Sequence, residues 1–168
     1  AAVALARRMH GATPNKDTAD VLNSLAILCQ LDGNHARAET LAREAQGMVR
    51  QLFGDEHPQV FVCTNTLALA LQNLGRMGEA ETMLRQTLEG RRRVLGERHA
   101  ETATSYNNLA TLLEDLGRLD EAEPLSRRAL EVRVALLGEE HPDVAVVLNN
   151  LGFLNRSLRR YEASEDAF

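Results

Sequence analysis

The chain has 168 residues, 44% apolar and 26% charged, with 19 basic and 24 acidic residues giving a formal charge of −5. This balance supports a buried core, excludes a disordered polymer, and has the wrong sign for a protein that lives on the phosphate backbones of nucleic acid. Eleven glycines, four prolines and 4% aromatics disfavour a turn-rich β-sandwich and favour helices. No apolar run approaches the ~20 residues that cross a bilayer, and the N-terminus lacks a signal-peptide pattern, so no membrane partner is expected. Cys29 and Cys63 form neither a CxxC pair nor a disulfide framework and are expected to be buried free thiols in a reducing, cytoplasmic setting.

The chain repeats every 42 residues. Gly54-Asp55-Glu56-His57-Pro58, Gly96-Glu97-Arg98-His99-Ala100 and Gly138-Glu139-Glu140-His141-Pro142 recur at that spacing, as do Asn23, Asn65, Asn107 and Asn149. Aligning 54–95 with 96–137 leaves 17 identities in 42 positions without a gap. In chain order the period predicts a partial helix at 1–10, helix pairs at 17–31 and 36–53, 58–74 and 78–95, 100–116 and 120–137, and a partial repeat 142–168 with helix 142–158 and a stub from 161. Gly11 to Asn23 is one residue longer than Gly54 to Asn65, so a small bulge displacing Pro14 is expected in the first connection.

The first helix of a unit, helix A, shows Tyr106, Leu109, Ala110, Leu113 and Leu116 at amphipathic spacing, and the second, helix B, shows Ala122, Leu125, Ala129, Val132 and Leu136. Gly75 and Gly117 suit the left-handed residue that ends helix A, and Gly54, Gly96 and Gly138 suit the end of helix B. Pro58 and Pro142 fit the first helical turn and hold His57 and His141 extended before it.

Small residues at Ala68, Ala80, Ala110, Ala122 and Ala129 allow the paired helices to approach closely. With Asn107-Asn108-Leu109-Ala110, Leu116-Gly117-Arg118, Glu121-Ala122-Glu123 and Arg128-Ala129-Leu130, the unit resembles a tetratricopeptide repeat of the longer, kinesin-light-chain type. The resemblance covers the whole chain and implies an all-α, right-handed superhelical solenoid of stacked antiparallel helix pairs. It departs from the family where Cys29, Leu71, Leu113 and Asn155 replace a late helix A aromatic, and where Ala100 replaces a proline. A chain that opens and stops inside helices B is expected to be a fragment of a longer protein.

The chemistry-bearing residues argue against an enzyme. His57, His99 and His141 sit in equivalent turns of stacked units, roughly 10 Å or more apart, whereas zinc ligands converge within about 2 Å of one ion. Helix starts are their expected work, and no metal or cofactor is implied. No phosphate loop, HExxH or GxSxG is present. Glu121, Glu123 and Glu131 are expected on an exposed helix face, and Arg91-Arg92-Arg93 as solvated cations near a helix C-terminus, with an anion patch as the alternative.

Four mid-helix asparagines need a reason, because asparagine is a middling helix former. In the repeat that the chain resembles, this position faces the concave surface. The implied groove comprises Asn23, Ile27, Gln30 and Leu31; Asn65, Leu69, Gln72 and Asn73; Asn107, Thr111, Glu114 and Asp115; and Asn149, Phe153, Arg156 and Ser157. An asparagine amide both donates and accepts, so it can pair with a peptide backbone or brace neighbouring repeats. The expected function is a non-catalytic scaffold that holds a protein or peptide segment in this groove. Glu114 and Asp115 would favour a basic ligand residue and Arg156 an acidic one. A carboxylate clamp is disfavoured by Ile27 and Leu69, which stand where clamp-bearing relatives place asparagine. The alternative is a structural or regulatory array in a multidomain signalling protein, or one that self-assembles through uncapped ends near Ala163 and Phe168.

Overall fold

A computed structural model describes residues 14–165, with side chains for residues 14–156. Among the described residues there are seven α-helices and no strand: α1 (Lys16–Leu31), α2 (His35–Phe53), α3 (Pro58–Asn73), α4 (Met77–Leu95), α5 (Ala100–Asp115), α6 (Leu119–Leu137) and α7 (Pro142–Glu165). The expected partial helix at 1–10 lies outside the described residues. So does the expected bulge, apart from Pro14. The twelve boundaries of α1 to α6 fall within one residue of those predicted.

Backbone punctuation explains this agreement. Every positive-φ residue described is a glycine, and these glycines stand at 33, 54, 75, 96, 117 and 138, one every 21 residues. Gly117 ends α5 in a two-bond turn, its own N–H donating to the Glu114 carbonyl at 2.9 Å and the Arg118 N–H to the Leu113 carbonyl at 2.8 Å. Gly138 ends α6 at φ 84°, ψ 160°, a region essentially closed to residues with a Cβ. The next position in the series is Arg159, and there the expected break before a stub at 161 is absent. Without a left-handed residue to stop it, α7 runs on to Glu165.

Helix starts are punctuated as regularly. Asn15 caps α1 and Asn34 caps α2, while the Nδ1 atoms of His57, His99 and His141 accept from the N–H groups of Gln59, Glu101 and Asp143 at 3.2, 3.1 and 3.1 Å. The histidines therefore satisfy helix N-termini, as their spacing suggested. Pro124 lies exposed inside α6, where it lacks the N–H that would reach the Asp120 carbonyl.

The chain divides into two compact units, Ala1–Gly90 and Arg91–Phe168, with the boundary inside α4. In the first, α1 packs on α2, α2 on α3, and α1 touches α3; in the second, α5 packs on α6, α6 on α7, and α5 touches α7. Short loops make consecutive helices antiparallel. Leu22, Ala26, Ala38, Ala42, Leu67 and Leu71 are fully buried in the first unit, and Leu109, Leu113, Ala122 and Ala129 are buried in the second. Each fully buried leucine contributes about 1.5–3 kcal/mol. Cys29 and Cys63 are buried free thiols, and burial pushes the Cys63 thiol up to about 11.

One packing exchange distinguishes repeats that otherwise share a register. Phe61 is buried against Gly90, where a Cβ would overlap the ring and fall 2.6 Å from its Cζ. Forty-two residues later the same positions hold Ala103 and Val132, both buried, so the bulk has moved from one helix to the other. Gly90→Ala should therefore destabilise by about 1–3 kcal/mol through overpacking, although alanine is the better helix former by about 1 kcal/mol. The double change Phe61→Ala/Gly90→Val should recover most of the loss in urea unfolding. A Gly90→Ala variant more stable than wild type would contradict the assignment.

Candidate functional site

The asparagine-bearing faces of the A helices carry the candidate residues, and they are described unit by unit. In the first unit α1 presents Asn23 buried, Gln30 half-buried, and Ile27 and Leu31 exposed, while α3 presents Asn65, Leu69 and Gln72 half-buried and Asn73 exposed. Gln30 Nε2 donates to the Thr66 carbonyl at 2.9 Å and fixes α1 to α3. Asn23 Oδ1 is buried and accepts no hydrogen bond from the described residues.

In the second unit α5 presents Asn107 and Glu114 half-buried with Thr111 and Asp115 exposed, and α7 presents Asn149, Phe153 and Arg156 exposed. Asn150 Nδ2 donates to Asn107 Oδ1 at 3.2 Å, so this asparagine braces adjacent A helices. The sequence pattern singled out Asn149 and passed over Asn150, because the bracing offset is 43 rather than 42. The Arg156 guanidinium lies 4.5 Å from the centre of the Phe153 ring, which is 49% exposed. Ser157, Ala163 and Phe168 lie outside the described side chains.

Of the arginine run, Arg92 and Arg93 are exposed in the last turn of α4 as expected, and Arg91 is not. Arg91 is 2% exposed, and it pairs with the Glu101 carboxylate at 2.6 Å while donating to Ser105 Oγ at 2.8 Å and the Glu101 carbonyl at 3.0 Å. Burial pulls its pKa down while Glu101 opposes the shift. Arg133, one period later, repeats the ion pair with Asp143 at 3.3 Å, while its hydroxyl partner, Thr104 at 3.2 Å, lies on the preceding helix α5. Each arginine ties the end of a helix B to the start of the next helix A, which removes Arg91 from any anion patch. The register of Arg91 with Arg133 and of Glu101 with Asp143 was the available signal. Nearby, Tyr106 Oη donates to Glu97 at 2.5 Å, and with Arg92 this holds the Glu97 carboxyl below the usual carboxylate range.

On the B helices several outward charges are paired, as in Arg43 with Glu39, Arg85 with Glu81, and Arg127 with Glu123. Glu114 on the A-helix face is pushed the other way, above the usual carboxylate range, by burial and then by the charge of Asp115. A carboxyl raised on folding costs nothing while both states are protonated, and it costs stability once pH exceeds its folded value. Glu114→Gln should thus raise the thermal midpoint at pH 7, and the gain should vanish as pH falls below the ordinary value of 4.5. An equal gain at both pH values, read by circular dichroism, would point to packing instead.

Among the described residues, no three His, Cys, Asp or Glu side chains are grouped to hold a metal ion, and no helix is long and apolar enough to cross a membrane. A search of curated proteins finds no match. Among solved structures the chain is similar to BtubC (BKLC) from P. vanneervenii, with a TM-score of 0.80 and 26% identity over 97% of this chain and 65% of that one, so it spans less than two thirds of that relative. It is similar to the TPR-like repeats of a Podosopora anserina kinesin light chain, with a TM-score of 0.80 and 21% identity over 89% of this chain and 71% of that one. It is similar also to the apo form of RapI, with a TM-score of 0.79 and 16% identity over 96% of this chain and 57% of that one. At those last two identities the likeness is one of fold alone. The family description "Tetratricopeptide repeat" matches residues 17–93, 62–133 and 101–168. Repeats of this kind generally serve as protein–protein interaction scaffolds. With its period, its glycine stops and this match along nearly its whole length, the chain belongs to the tetratricopeptide repeat family.

Proposed function

We propose that the chain is a non-catalytic scaffold that holds an extended segment of a partner protein on its A-helix faces. The observation that carries this reading is the contrast between helix faces. Several B-helix charges are paired in place, as between Arg127 and Glu123, whereas the A-helix faces leave Ile27 45%, Leu31 80% and Phe153 49% exposed beside amides and hydroxyls. Apolar contacts set among donors and acceptors suit a peptide whose backbone also needs partners. Affinity should be modest, because ordering a flexible segment offsets much of the contact energy.

A random peptide library displayed against the chain should yield binders that lose at least tenfold in affinity for the Asn65→Ala/Asn107→Ala variant. Asn150→Ala, which removes the brace and leaves the Asn107 amide in place, should retain more binding than the double variant. Equal binding by wild type and the double variant, with matching circular dichroism, would leave the amides as internal braces.

A second reading concerns the side of α7 at Leu148. That side chain is 49% exposed, while its counterparts Leu22, Thr64 and Tyr106 are all buried. This supports self-association in which a helix of a second copy covers the site. Sedimentation should then show a dimer that Leu148→Asp dissociates, and a wild-type monomer at high concentration would remove the reading.

A further inference from the structure

We propose that the α5–α7 face of the second unit accepts a basic side chain, an arginine or lysine from an extended segment of a partner protein, at Glu114. The inference rests on the reading of the A-helix faces as docking surfaces, and it assigns the chemistry of one contact.

The repeat itself shows what is unusual about Glu114. At the same register position Gln30 donates a hydrogen across to the next helix A, to the Thr66 carbonyl. The counterpart of Thr66 in the second unit is Asn150 on α7. An ionised glutamate has no hydrogen to give, so Glu114 brings an acceptor where α1 uses the donor of Gln30. The carboxylate makes no ion pair or hydrogen bond with any described residue, whereas those of Glu39, Glu97, Glu101, Glu123 and Glu131 each hold an arginine.

Its position on the helix compounds this. Glu114 and Asp115 occupy the last turn of α5, where no basic residue answers the negative end of the helix dipole. Half-burial and the neighbouring Asp115 charge both disfavour ionisation there. One cation relieves all of these at once, by pairing with the carboxylate and opposing the dipole. A guanidinium adds a planar fork of donors that matches the two carboxylate oxygens. Thr111, exposed one turn earlier, leaves the approach open, and the exposed Phe153 ring on α7 offers an apolar surface for the methylenes of a long basic side chain. That ring already holds one guanidinium, from Arg156.

The test uses three fluorescein-labelled peptides of alternating Leu and a second residue, which is Arg, Gln or Glu, read by fluorescence anisotropy at 0.15 M salt. The Arg peptide should bind wild type at least tenfold more tightly than the Gln peptide. Glu114→Gln should abolish that preference while keeping the helical signal. Glu139→Gln removes the same charge from an exposed turn and should leave the preference intact. Equal losses in the two variants would replace the site with diffuse attraction to an acidic protein and overturn the proposal, as would an unchanged Glu114→Gln or no binding of the Arg peptide. If the Arg and Gln peptides bind wild type equally and both weaken in Asn107→Ala, the docking surface stands and Glu114 has no part in it. Binding indifferent to both Glu114→Gln and Asn107→Ala removes the two readings together.

Discussion

The constraint on which the rest depends is the placement of a left-handed glycine every 21 residues. Helix length follows from it, because each segment between stops holds one helix and a short connection. The pairing of faces follows too. Equal helix lengths bring the small residues Ala26, Ala68 and Ala110 of successive A helices to equivalent buried positions, and the same holds for Ala38, Ala80 and Ala122 of the B helices. Close helix approach then needs no special sequence beyond alanine at those sites, and local exchanges such as Phe61 with Gly90 can vary without disturbing the register. Where the series lapses, at Arg159, the hairpin lapses with it.

A regular array assigns its polar groups by position. The loops between repeats are held by buried or half-buried arginines, Arg91 and Arg133, each bonded to a carboxylate and a backbone carbonyl of the following helix start. Removing the carboxylate from such a pair would strand a buried charge, which is why these arginines are structural rather than available for ligand. The outward B-helix surfaces are laced with ion pairs three or four residues apart, which contribute little stability but leave few unmet charges. What is left with mixed chemistry is the A-helix side, where amides, hydroxyls, a carboxylate without an arginine and half-exposed apolar groups lie together.

Most of this architecture was legible in the residues themselves. Glycines and His-Pro turns mark boundaries through local backbone preference, so the ends of α1 to α6 were readable to within one residue. The capping role of the histidines followed from their spacing. Arg91 was misread because its burial depends on Glu101 and Ser105 reaching it across a turn, and local charge patterning does not encode that. The continuation of α7 was missed because the period was carried past a position that lacks its glycine. For Asn107 the sequence left two roles open, a brace and a ligand contact. The bond from Asn150 supplies the brace, while the exposure of Thr111, Asn149 and Phe153 around it keeps the contact role in play.

The most direct test of the A-helix faces as the working surface is amide chemical-shift mapping by NMR, with the isotopically labelled chain titrated by a peptide selected from a random library. The account predicts perturbations concentrated at Asn107, Thr111, Glu114 and Asp115 on α5 and at Asn149, Phe153 and Arg156 on α7, with the outward residues Arg127 and Glu131 of α6 unmoved. Shifts confined to α6, or spread along the B helices and absent from these faces, would contradict it.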